Sequence, residues 1–279
     1  MRRMSAAIAV LFACSPGLNA AEHMAGVPVS DLSHIHGIAF GAANDLILAT
    51  HHGVFTVDPA GQARLISEPH DFMGFTRADP DRLLASGHPA AGGNMGVLTS
   101  DDGGATWSLL SDGVGGPVDF HAMSVSPMDP QVIYGLYGDI QVSRDAGRMW
   151  AVSGPAPLDT LDLAAGPDDP ATLYAGTVDG LMVSTDFGVS WTRSGPPGVP
   201  VTAVESTGSG EIYAFFAGDG LFRRDSAGTW TSLSKEFGQR VILHLAIHED
   251  TPERLAAVTD TSAVLISEDA GKSWRPIAQ

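Results

Sequence analysis

From about residue 31 onward, the chain places its apolar residues in short runs that alternate with polar positions, each run closed by glycine, proline, aspartate or asparagine. A period of two over four to six residues is the pattern of half-buried strands, and frequent turn residues rule out long helices. Around Trp150 the runs fall at His121–Val125, Val132–Tyr137, Ile140–Ser143 and Met149–Val152. The next set falls at Leu161–Ala165, Thr172–Gly176, Leu181–Ser184 and Ser190–Arg193. Proline-bracketed turns, S-P-M-D-P at 126–130 and G-P-D-D-P at 166–170, join the first strand of each set to the second.

The sets repeat. Residues 100–107 (SDDGGATW), 143–150 (SRDAGRMW), 184–191 (STDFGVSW) and 267–274 (SEDAGKSW) share the pattern S-x-D-x-G-x-[TS]-W, with Met149 replacing the hydroxyl residue in the second copy. A worn copy at 223–230 keeps Asp225 and Trp230. Trp107, Trp150, Trp191, Trp230 and Trp274 are 43, 41, 39 and 44 residues apart. A period near 42 with four strands per repeat is that of a β-propeller blade. Five such repeats, preceded by a blade without the octapeptide from His34 to about Ser67, predict an all-β, six-bladed propeller over residues 31–279. The last blade has four strands of its own, so no strand exchange is expected to close the ring.

The octapeptide resembles the Asp box, or BNR repeat. In that motif the aspartate (here Asp102, Asp145, Asp186, Asp225 and Asp269) braces its own turn, the glycine takes a left-handed position and the tryptophan packs between strands. The resemblance implies a hairpin brace between the third and fourth strands of a blade, on the face away from any active site. Asp-box propellers include sialidases, xyloglucan-cleaving glycosidases, sortilin-type receptors and a photosystem assembly factor. Sialidases also carry a Phe/Tyr-Arg-Ile-Pro motif and an arginine triad. Here that motif is missing, the first blade offers only Arg64, and Arg144, Arg148, Arg223 and Arg224 lie in the boxes. The strings His34-Ile-His-Gly37, Thr50-His-His-Gly53, Asp71-Phe-Met-Gly-Phe75, Ser86-Gly-His-Pro89 and Asp119-Phe-His121 resemble instead a group of exported bacterial Asp-box proteins often called glycosyl hydrolases or exo-sialidases.

Up-and-down strands bring the start of each first strand and the end of each second strand to one mouth of the central channel. That places His34, His36, His51, His52, His88 and His121 together, with His70, Asp71, Met73, Asp119 and His244 as further candidates. Neutral imidazoles at the ends of rigid strands form a preorganised transition-metal site. Thioethers from Met73, Met95 and Met123 would favour copper, whereas a histidine–carboxylate set with Asp119 would suit zinc. Copper is the expected metal, and its handling or delivery the expected role. Two other classes stay open: a scaffold or assembly factor binding a protein partner on a propeller face, and a glycoside hydrolase. The latter would use two of Asp71, Asp119, Asp159 and Asp162, spaced ~5–9.5 Å apart. No catalytic residue is assigned.

Charge and the N-terminus set the surroundings. The chain has 15 basic and 32 acidic residues, a net charge of −17, which argues against nucleic acid as a partner. Arg2, Arg3, the apolar run Ala6–Ala13 and small residues up to Ala20 read as an export signal over 1–20, followed by a short segment over 21–30. A periplasmic or secreted monomer is expected, without a membrane-spanning segment once the signal is removed. Cys14, the sole cysteine, ends a lipobox-like Leu11-Phe-Ala-Cys14 and offers a lipid anchor as the other processing route. It leaves no disulfide framework. Cleavage after Ala20 would expose Ala21-Glu22-His23, an amine–amide–imidazole chelate for square-planar Cu(II).

Overall fold

A computed structural model describes residues 26–41 and 45–277. The expected signal over 1–20, the Cys14 lipobox and the Ala21-Glu22-His23 chelate lie outside the described residues. The described chain folds into six antiparallel sheets, each of consecutive strands, arranged in a ring as a β-propeller. Blade one contains Ile35–Phe40, Leu46–Thr50, Gly53–Val57 and Gln62–Leu65, from the axis outward. A fifth strand, Val27–Pro28, pairs antiparallel with its outer edge. The innermost strands of blades two to six are Asp71–Asp79, Ala122–Val125, Thr160–Ala165, Val201–Ser206 and Ile242–Ile247. Blade six supplies all four of its own strands, as the sequence predicts.

Side-chain packing closes the ring. Six hydrophobic clusters lie one at each blade-to-blade junction, among them Ile38 and Phe40 of blade one against Ala246, Val258 and Ile266 of blade six. Small polar groups on the innermost strands stitch neighbours together. The Ala165 N–H donates to Ser124 Oγ (2.9 Å), the Val204 N–H to Asp162 Oδ2 (2.8 Å), and Thr202 Oγ1 donates to the Ile242 carbonyl (2.6 Å).

The octapeptides form the predicted turns between third and fourth strands. In the first, Ser100 Oγ donates to Asp102 Oδ1 (2.9 Å), which also accepts the Thr106 N–H (2.9 Å), while Thr106 Oγ1 donates to Oδ2 (2.6 Å). The Trp107 indole N–H donates to the Gly104 carbonyl (2.9 Å), and its ring sits 5.1 Å from that of Phe72. Because this network reaches the seventh and eighth residues, fourth strands start later than the hydrophobic pattern predicts. Blade three's is Ala151–Pro155, not Met149–Val152, since Met149 and Trp150 still belong to the turn.

Candidate metal centre

Blade one delivers two histidines to the channel mouth by different local devices. His34 has a positive φ of 53° and its carbonyl accepts the His51 N–H (3.2 Å), a turn that aims the chain into the innermost strand. Asp159 repeats this in blade four, with φ of 54° and an N–H from Val178. Ile35 pairs with Thr50 and Gly37 with Ala49, so His36 is the extra residue of a β-bulge. A bulged residue is re-aimed relative to regular alternation. His51 follows directly on the second strand, Leu46–Thr50.

Asp71, the first residue of blade two's innermost strand, meets both. Its Oδ2 lies 2.6 Å from His51 Nδ1, and its Oδ1 lies 4.0 Å from His36 Nε2. His36 Nε2 and Asp71 Oδ1 are both buried without a hydrogen-bond partner. Donor atoms from His36, His51 and Asp71 all fall within 4.8 Å of one another. Two ligands each ~2.0–2.2 Å from one ion are about 2.9–4.2 Å apart, depending on their angle, so a metal fits between the orphaned pair. Burial, then His51, pushes the His36 pKa down, with Asp71 opposing and His34 and His121 adding to the fall. The ring is therefore kept in the neutral form that ligates metals.

The remaining predicted residues divide. His34 and His52 are exposed and flank the triad, their rings 4.9 and 6.4 Å from that of His51. His88 and His121 gather around Asp119 instead, each with Nε2 at 2.9 Å from its Oδ2. His70 turns away: its Nδ1 accepts the Ala90 N–H (3.3 Å) and holds the loop after blade two's second strand. Met95 and Met123 pack in hydrophobic clusters between blades, and Met73 is half-buried on the strand that begins with Asp71. The donor atoms that converge are thus nitrogen and oxygen.

His244 lies deeper than its sequence position implies. Blade six is bulged at Leu243, as blade one is at His36, so His244 pairs with Val258 in the place that Gly37 holds in blade one. It lines an axial cavity of about 840 Å³ together with Asp162 of blade four and Glu205 of blade five. Burial, then His36, pushes the His244 pKa down to about 4, against a hydrogen bond to the Ile35 carbonyl. Burial pushes Asp162 up to about 7, opposed by the N–H groups of Val204 and Leu163. Burial and then Asp162 raise Glu205 to about 8. Glu205 escapes the sequence reading; the signal for it is an acidic residue within an innermost strand that is otherwise apolar at Val201, Ala203 and Val204.

Residues 98–109 match the family model for the BNR/Asp-box repeat. No curated protein matches the sequence. Among solved structures, the chain is similar to the GH74 xyloglucanase from Xanthomonas campestris, with a TM-score of 0.57 and 21% identity over 90% of this chain and 46% of that one. It is also similar to the extracellular domain of a B. thetaiotaomicron protein, with a TM-score of 0.57 and 13% identity over 88% of this chain and 33% of that one. A third is regucalcin, a calcium-binding protein from Agrobacterium tumefaciens, with a TM-score of 0.56 and 14% identity over 84% and 85%. This chain spans less than half the length of the first two. At these identities the likeness is one of fold, and function has to be argued from the site.

Proposed function

We propose that this Asp-box β-propeller is an exported transition-metal-binding protein, and that His36, His51 and Asp71 hold its ion at one mouth of the channel in a metal-handling or delivery role. The observation that carries the reading is the pair of buried, unpartnered atoms, His36 Nε2 and Asp71 Oδ1, 4.0 Å apart beside His51. Buried polar atoms are rarely left unsatisfied, because doing so costs about 1–3 kcal/mol each. A cation between them satisfies both. Two imidazoles and a carboxylate suit Cu(II) and Zn(II), and Cu(II) is the tighter binder of the two by the general affinity order of divalent ions. Copper is therefore the proposed cargo, in its divalent state, since sulfur donors for Cu(I) are not part of the triad.

The glycosidase reading gains no support from this mouth. Asp71 and Asp119, two of the carboxylates it would use, are each engaged by histidine. The test of the metal reading is elemental mass spectrometry of the protein purified from its native compartment, beside a His36→Ala/Asp71→Ala variant. Copper or zinc bound to the wild type and reduced by one ion per chain in the variant is the expected result. A wild type that carries no metal and takes up neither ion from solution would overturn the reading and leave the propeller face as a protein-docking surface.

A further inference from the structure

The axial cavity of about 840 Å³ shares no lining residue with the metal triad. Its wall includes exposed turns between the first and second strands of blades two and six, at Asp79, Pro80, Glu249 and Asp250. It therefore reaches solvent on the face opposite the metal mouth. Its volume falls within the ~300–1,000 Å³ usual for small-molecule sites and is far more than a single ion needs. Nor do Asp162, Glu205 and His244 bring donor atoms together as a metal requires: among the described residues only His36, His51 and Asp71 do so. Volume and spacing both call for an organic ligand.

Charge narrows its class. Asp79, Asp162, Glu205, Glu249 and Asp250 line the cavity, with Arg77 the sole arginine or lysine beside them. The Arg77 guanidinium is committed to the Phe40 and Pro80 carbonyls. Asp162 likewise gives its oxygens to the Leu163 and Val204 N–H groups (2.9 and 2.8 Å). Glu205 differs. Burial, Asp162 and the Ser206 N–H set its carboxyl, and no cation is among them. A cation bound there supplies the counter-charge that burial otherwise makes a proton provide. His248, on the same wall, adds a buried Nδ1 without a hydrogen-bond partner. Ile38, Phe75, Met123 and Val125 offer apolar surface to the rest of a ligand.

We propose that the axial cavity binds an organic cation, a primary ammonium on a hydrocarbon body, with the ammonium at Glu205 and the body against Phe75 and Met123. The site is independent of the metal-binding function proposed above.

Calorimetric titration of the full chain tests the proposal. Tryptamine is the probe, and tryptophol, with a hydroxyl in place of the ammonium, is its neutral counterpart. Tryptamine is expected to bind saturably and roughly tenfold or more tighter than tryptophol, because a hydrogen bond to a charged group is the stronger kind. Glu205→Gln should erase that preference, and His36→Ala/Asp71→Ala should keep it. Equal affinity of the wild type for both probes, or no binding of tryptamine, would overturn the proposal. Tryptamine binding untouched by Glu205→Gln, or lost in His36→Ala/Asp71→Ala, would place the amine elsewhere and overturn it equally. The wild-type comparison needs no variant, so it decides even if Glu205→Gln does not fold.

Discussion

Met149 occupies the one seventh position among the four full octapeptides that has no hydroxyl. Thr106, Ser190 and Ser273 each donate Oγ to the second carboxylate oxygen of their aspartate at 2.6 Å, whereas Met149 contributes only its N–H (2.8 Å) and leaves its side chain 73% exposed. Met149→Thr restores the missing hydrogen bond and removes exposed apolar surface. It is expected to stabilise the fold by roughly 0.5–1 kcal/mol, read as a raised denaturant midpoint at unchanged slope; an unchanged midpoint would show that water already satisfies Asp145. These turns were legible in the sequence because every partner lies within eight residues. The same locality explains why the boxes carry structure and not chemistry: their aspartates bond within their own turns.

At the scale of strands, the metal centre depends on where bulges and left-handed residues fall, and alternation does not announce them. Sequence position alone predicts six histidines at one mouth; in the fold His36 and His51 meet Asp71, His88 and His121 meet Asp119, and His34 and His52 flank His51. It does not reveal that His36 is a bulge residue, that a matching bulge moves His244 one step down the channel, or that His70 caps a loop. Nor does it show Asp71 and Asp119 as the organisers of two separate groups, since that depends on contacts between blades. Gly87 is the element on which both groups lean. Its φ is 137°, and an added Cβ would collide with the Asp71 carbonyl across the strand pair. Gly87→Ala should therefore loosen the Asp71–His88 pairing and weaken zinc binding at least tenfold, measured by competition with a chromogenic chelator. Wild-type affinity in a folded Gly87→Ala protein would separate the site from this backbone.

The molecule as a whole is a ring held by six apolar junctions around a cavity whose wall carries Asp162, Glu205 and His244, all half-buried. Their shifted pKa values tie stability to pH. The raised carboxyls, at about 7 and 8 against reference values of 3.8 and 4.5, bind protons in the fold that the unfolded chain releases. Their stabilising contribution is complete below about pH 4 and is lost as pH rises through 7 to 8. His244, lowered from 6.5 to about 4, acts oppositely: its contribution is present above 6.5 and is lost as pH falls through 4. Between pH 6.5 and 8 the two carboxyls release their protons while His244 stays neutral, so the melting temperature of chelator-treated protein should fall across that window. Glu205→Gln should flatten the fall, and an equal slope in the variant would show that Glu205 is ionised in the fold throughout.

Anomalous diffraction at the copper and zinc absorption edges, from crystals of the metal-loaded protein, locates the ion in the channel mouth. The expected peak lies between His36 Nε2 and Asp71 Oδ1, within ~2.0–2.2 Å of both and in reach of His51. Metal-loaded crystals with no anomalous density at that point, and the two atoms still facing each other across it, would contradict it.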